Sequence, residues 1–133
     1  MLLLGAGGTG VRGSFHNCRF EGNGNSGLVL SGGAIVTVKD SVSTGNTQAG
    51  FFVDNAGSVA AQLNLQDSIS ANNGQGITAG AGGTVRISQT QITNNTTGLN
   101  PSGSGLISSY GTNNIAANGA GNGPPNGPPI MLQ

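Results

Sequence analysis

Ile77-Thr78-Ala79-Gly80-Ala81-Gly82-Gly83-Thr84-Val85-Arg86-Ile87, followed by Ile92 and Asn95, contains the whole pattern that decides the fold. In Val85-Arg86-Ile87 apolar and polar side chains alternate with period two, which is strand rather than helix patterning. The glycine-rich link between the two runs supplies a turn, and Ile92 marks a third short apolar site just ahead of an asparagine. Working outward, the same order returns along the chain. The pairs Gly27-Leu28, Gly50-Phe51, Gly76-Ile77 and Gly98-Leu99 lie 23, 26 and 22 residues apart, and Asn23, Asn46, Asn72, Asn95 and Asn118 keep step with them. Val36-Thr37-Val38 and Leu63-Asn64-Leu65 stand where Val85-Arg86-Ile87 does, while Phe20, Val42, Ile69, Ile92 and Ile115 fill the third site.

A unit of this length with three short strands cannot bury its apolar side chains alone, but stacking one turn on the next does so. The pattern therefore predicts an all-β fold: a right-handed parallel β-helix solenoid of about five coils, three short strands per coil, with coils about 4.8 Å apart. The opening Leu2-Leu3-Leu4-Gly5-Ala6-Gly7-Gly8 fits the frame of Ile77–Gly83, and Val11-Arg12 then fits Val85-Arg86. The repeat spans residues 1–119 and starts at a strand without a cap. That bare edge predicts a fragment of a longer solenoid, or copies that self-associate through the N-terminal coil. Residues 120–133 form a Gly/Pro-rich tail whose prolines cannot donate to a ladder. An extended run of this kind is long enough to fold back along the solenoid and lay Ile130, Met131 and Leu132 on the outward side of the first strands; the alternative is a frayed terminus.

Composition narrows the function. The 133 residues include 26 glycines, four basic and four acidic side chains, and the net charge is zero. Arg12, Arg19, Lys39 and Arg86 are too few to neutralise a run of phosphates, so nucleic acid is not an expected partner. Cys18 is the one cysteine, which excludes an internal disulfide and matches no paired metal-ligand spacing. It reads as a small side chain packed inward. No stretch approaches the roughly 20 apolar residues of a membrane-spanning helix, and Met1–Gly5 is too short for the apolar core of a signal peptide. No cofactor or metal site is expected.

Val38-Lys39-Asp40-Ser41-Val42 leading to Asn46, and Leu65-Gln66-Asp67-Ser68-Ile69 leading to Asn72, resemble the parallel β-helix repeat of the pectate-lyase-like superfamily. The closing Ser109-Tyr110-Gly111-Thr112-Asn113-Asn114-Ile115 is similar to the last coil of bacterial right-handed β-helix proteins of unassigned function. The resemblance implies a secreted or cell-surface protein, most often one that meets polysaccharide; repeats of this type serve many unrelated activities.

Stacking turns equivalent positions into columns. Asn23, Asn46, Asn72, Asn95 and Asn118 fall at a bend, where amides bond from coil to coil, and Cys18, Ser41, Ser68 and Thr90 form a second small polar column. Asp40 and Asp67 stack above Asn17. Paired carboxylates one coil apart are the weak catalytic candidates, since they could share a proton or hold a cation, and the polysaccharide-cleaving relatives use stacked acidic groups. The competing reading is that Asn and Asp here shape a turn through their own backbone. Lys39 alternates away from Asp40, and His16 reads as a solitary turn residue without an orienting partner. On the second strand Arg12, Thr37, Asn64 and Arg86 face out as a solvated surface. On the first strand the outward positions are Leu3, Val29, Phe52, Thr78 and Asn100. Leu3, Val29 and Phe52 make an apolar stripe, the candidate binding surface for a partner, a second copy or the folded-back tail. The expected function is a non-catalytic structural or binding module that presents a face to polysaccharide or protein. The alternative is a polysaccharide lyase or hydrolase using Asp40 and Asp67.

Overall fold

The computed structural model describes residues 1–4, 10–55 and 59–131, excluding the side chains of residues 2–4. Among these residues fifteen strands form three parallel five-stranded sheets. The first sheet holds β1 (Leu2–Leu4), β4 (Leu28–Ser31), β7 (Ala49–Val53), β10 (Gln75–Ala79) and β13 (Thr97–Pro101). The second holds β2 (Arg12–His16), β5 (Ile35–Lys39), β8 (Gln62–Gln66), β11 (Thr84–Ser88) and β14 (Leu106–Ser109). The third holds β3 (Arg19–Glu21), β6 (Val42–Thr44), β9 (Ile69–Ala71), β12 (Gln91–Thr93) and β15 (Asn114–Ala116). Each strand pairs with the strand three places on, so the chain visits all three sheets once per coil.

The two main inner walls are those expected. Leu28, Phe51, Ile77 and Leu99 are in register on the first sheet, and Val36, Leu63, Val85 and Ile107 on the second; all are buried. At about 1.5–3 kcal/mol for each fully buried large apolar side chain, this continuous interior is the main favourable term. Phe20 joins it edge-on to Phe51, with ring centroids 6.1 Å apart.

The glycine landmarks have a steric cause. A Cβ on Gly50 would stand 2.2 Å from Ser70 Oγ and 2.8 Å from Asn73 Nδ2, and one on Gly76 would stand 2.6 Å from the Gly98 carbonyl and 2.9 Å from Asn95 Nδ2. These glycines lie against the asparagine column, which leaves no room for a side chain.

Three columns differ from expectation. In the third sheet the register runs Phe20–Ser43–Ser70–Ile92–Ile115, so Ser43 and Ser70 face inward while Val42 and Ile69 face out. The serines are accommodated because each hydroxyl donates to a glycine carbonyl, Ser43 to Gly50 at 2.8 Å and Ser70 to Gly76 at 2.7 Å. In the first coil the frame is displaced by one or two residues. Leu2, not Leu3, pairs with Val29, and Leu3 pairs with Leu30; the Leu3 side chain itself lies outside the described residues. Arg12 pairs with Ile35 and Ser14 with Thr37, so Ser14 rather than Arg12 heads the outward column Thr37–Asn64–Arg86.

The tail does not fold back along the solenoid. It continues onto the last coil: Gly98 N–H donates to the Gly121 carbonyl, Leu99 N–H to Asn122, Gly127 N–H to Ile107 and Ile130 N–H to Ser109. Asn126 acts as a substitute peptide group, accepting from Ile107 N–H at 2.9 Å and donating to the Gly105 carbonyl at 2.9 Å. The open edges of β13 and β14 are thereby occupied without a strand. Leu132 lies outside the described residues.

Candidate functional site

The asparagine bend is built from a left-handed residue followed by an asparagine that is buried in every coil but the first. Gly22, Gly45, Asn72, Asn94 and Ala117 all have φ between 55° and 66°. The residues after them, Asn23, Asn46, Asn73, Asn95 and Asn118, form the ladder. Asn73 therefore takes the place expected for Asn72, which is the exposed turn residue of its coil. Each Nδ2 donates to the Oδ1 of the next asparagine: Asn23 to Asn46 at 2.7 Å, Asn46 to Asn73 at 2.9 Å, Asn73 to Asn95 at 3.1 Å and Asn95 to Asn118 at 3.0 Å. Asn118 then donates to Asn122 of the tail at 2.9 Å, adding a sixth rung. Every one of these Oδ1 atoms also accepts the backbone N–H of the preceding rung. Between its two end rungs, Asn23 and Asn122, this network is buried and hydrogen-bonded at both ends of each amide, which fixes register.

The opposite bend carries the acidic candidates. Asn17, Asp40, Asp67 and Gln89 share a left-handed backbone, φ 46–55°, and the next residues, Cys18, Ser41, Ser68 and Thr90, form the small polar column. Cys18 N–H donates to Ser41 Oγ at 3.0 Å and Ser41 N–H to Ser68 Oγ at 3.1 Å; Cys18 is a free, half-buried thiol packed against the core. His16 is not solitary. Its Nε2 lies 2.7 Å from Asp40 Oδ2, and Asn17 Nδ2 donates to its Nδ1 at 3.3 Å, an arrangement that suits the tautomer with hydrogen on Nε2. Lys39 Nζ lies 3.7 Å from Asp67 Oδ2, reaching the carboxylate one coil on. Each aspartate therefore has its own partner, His16 for Asp40 and Lys39 for Asp67, and each sits at a left-handed turn position. Nearby, Arg19 is hydrogen-bonded to Glu21, whose carboxylate raises the guanidinium pKa by hydrogen bonding first and by charge second. Among the described residues no group of three or more His, Cys, Asp or Glu side chains is placed to hold a metal ion.

The outward apolar positions Val29 and Phe52 pair with one another and are half-buried, lining a shallow groove with Met1, Asn25, Ser26 and Gln48. The stripe ends at Thr78, which is buried and donates to Gln75 Oε1 at 2.5 Å rather than facing solvent.

A second groove, of about 480 Å³, runs over the outer face of the second sheet. Asn64, Gln66, Arg86, Ser88, Gln89, Tyr110 and Thr112 line it. The register β8–β11–β14 delivers these side chains from three successive coils. Arg86 is held in place by donating from Nη1 to Gln62 Oε1 at 3.2 Å, and Tyr110 is half-buried where the groove meets a recess lined by Pro125, Pro129, Ile130 and Met131 of the tail. A fixed guanidinium, an aromatic face and several amides and hydroxyls in one concavity suit recognition of a polar chain, and the volume falls within the usual range of ligand sites. Arg86 and Asn64 were legible as outward residues, and Tyr110 as part of the closing coil. Their convergence depends on the strand register, which only the fold supplies.

No helix among the described residues is long and apolar enough to cross a membrane. No curated protein and no solved structure matches the chain. Residues 4–122, most of the chain and nearly all of its strands, match the family described as right handed beta helix region. With its three parallel sheets, one strand of each per coil, the chain belongs to the right-handed β-helix family.

Proposed function

We propose that this chain is a non-catalytic binding module of a secreted or cell-surface protein, and that its second sheet receives a polysaccharide along the groove at Arg86 and Tyr110. The observation that carries the reading is the combination of Tyr110 with the anchored Arg86 in one groove. A sugar ring stacks its apolar face on an aromatic side chain, while a guanidinium and amides take its hydroxyls or a carboxylate. The separate partners of Asp40, hydrogen-bonded to His16, and Asp67, facing Lys39, favour a structural role for the two carboxylates. Isothermal titration with neutral and uronic-acid oligosaccharides tests the groove. Tyr110→Ala and Arg86→Ala should each abolish measurable heat while leaving the melting temperature unchanged; absence of heat from the parent protein with every oligosaccharide overturns the reading.

The half-buried Val29 and Phe52 favour a second contact, with a protein partner or another copy of the chain, beside the N-terminal coil that carries Leu3. Val29→Ser with Phe52→Ser should lower self-association in sedimentation. The competing lyase or hydrolase reading places Asp40 and Asp67 at the reaction centre. Turnover of any polysaccharide that disappears in an Asp40→Asn, Asp67→Asn double variant would establish it.

A further inference from the structure

The tail contains one tetrapeptide twice: Asn122-Gly123-Pro124-Pro125 and Asn126-Gly127-Pro128-Pro129. Both asparagines are exposed, yet their amides are in opposite situations. Asn126 is closed on every side. Its Oδ1 accepts from Ile107 N–H, its Nδ2 donates to the Gly105 carbonyl, and the following Gly127 N–H donates to the Ile107 carbonyl. At Asn122 the Oδ1 accepts from Asn118 Nδ2 at 2.9 Å and from Asn118 N–H at 3.4 Å, while neither the Asn122 Nδ2 nor the Gly123 N–H has a hydrogen-bond partner among the described residues.

From this contrast we infer that Asn122-Gly123 is a site of spontaneous covalent modification, the conversion of an asparagine amide to aspartate and isoaspartate through a cyclic imide. The Gly123 nitrogen gives up its proton to solvent base and bonds to Asn122 Cγ. The Cγ–Nδ2 bond breaks and ammonia leaves. Water then opens the imide at either carbonyl, giving aspartate or the isomer with one more carbon in the main chain. Three features of the last rung favour the reaction. The nucleophilic nitrogen is untied, the leaving group is unbonded, and two N–H groups from Asn118 point at the oxygen that takes negative charge during addition.

The inner Asn-Gly pairs lack these features. Gly74 N–H is donated to the Asn46 carbonyl and Gly119 N–H to the Asn95 carbonyl, and Asn73 and Asn118 each spend Nδ2 on the next rung. Asn23-Gly24 has a free glycine N–H, but Asn23 Nδ2 is engaged with Asn46 and its Oδ1 receives no donor.

The two products differ in consequence. Aspartate at this position still accepts from Asn118, now as a carboxylate, and the ladder survives. Isoaspartate lengthens the chain between the ladder and the clamp at Asn126, and so loosens the tail from the edges of β13 and β14.

The full chain is held folded at mildly alkaline pH and mapped by peptide mass spectrometry with an isoaspartate readout, alongside the same chain in guanidinium. In the folded chain Asn122 should convert at least about tenfold faster than Asn126, Asn73 or Asn118, a ratio that one retained hydrogen bond can supply. In guanidinium Asn122 and Asn126, each followed by Gly-Pro-Pro, should converge to within a few-fold. Equal folded rates at Asn122 and Asn126 overturn the inference, and so does a tenfold difference that persists after denaturation. An Asn122→Asp chain should keep the parent melting temperature; a clear drop would overturn the predicted survival of the ladder.

Discussion

Two of the three bends in each coil, those on either side of the third sheet, are built on one plan and end as different objects. At both, a left-handed residue is followed by an inward polar residue that accepts the backbone N–H of the preceding rung. At one bend that inward residue is asparagine, with an acceptor and a two-hydrogen donor on the same amide, so side chain bonds to side chain through the whole stack. At the other it is cysteine, serine or threonine until the last coil, where Asn113 accepts Thr90 N–H at 2.9 Å. The Ser41 and Ser68 hydroxyls turn back to carbonyls of their own coil, those of Lys39 and Gln66, each at 2.7 Å. The continuous amide ladder is a spine; the hydroxyl column is a row of local turns. Titratable residues gather at the second bend, where Asp40 meets His16 and Asp67 meets Lys39.

If the spine reading holds, Asn73→Ala should produce the largest loss. It strips the acceptor from the Asn46 amide and backbone N–H and leaves buried groups unsatisfied, at about 3–5 kcal/mol in equilibrium unfolding. The adjacent Asn72→Ala, on the exposed left-handed residue, should cost about 1 kcal/mol. Equal costs would put the ladder back where the sequence reading had it. Gly50→Ala attacks the same spine sterically, and overpacking against Ser70 and Asn73 should cost about 1–3 kcal/mol. Ser68→Ala at the hydroxyl column removes one acceptor and one short donor, and urea titration should register about 1–2 kcal/mol. The smallest effect has the opposite sign. Ala117 holds φ 56°, where its Cβ is unfavourable, so Ala117→Gly should raise stability by about 0.5 kcal/mol.

The positions read correctly from sequence were those under the strictest steric control. Gly27, Gly50, Gly76 and Gly98 tolerate no Cβ, so they mark coil phase reliably, and the wall Leu28–Phe51–Ile77–Leu99 follows from them. Hydrophobicity misled where a hydroxyl could be satisfied inside: Val42 and Ile69 look like core, yet Ser43 and Ser70 occupy it. Asn72 and Asn73 are indistinguishable by type, and only the left-handed φ of the first separates their roles. In the opening coil, the glycines after Leu4 offer no side chain to fix phase, and the frame slipped. At the acidic bend, the alignment of Asp40 with Asp67 was readable from spacing, but their partners were not. His16 and Lys39 each reach across a coil boundary, and such diagonal contacts leave no periodic trace. The Arg86–Tyr110 groove was hidden for the same reason, since its lining comes from three coils.

The ladder also has a direction. Every side-chain amide from Asn23 to Asn118 points its N–H toward the next coil and its oxygen toward the previous one, so these small dipoles add along the axis instead of cancelling. A cylinder whose side chains sum to no net charge thus acquires an electropositive end near the tail and an electronegative end near the first coil, and anions and cations should sort between its two ends accordingly.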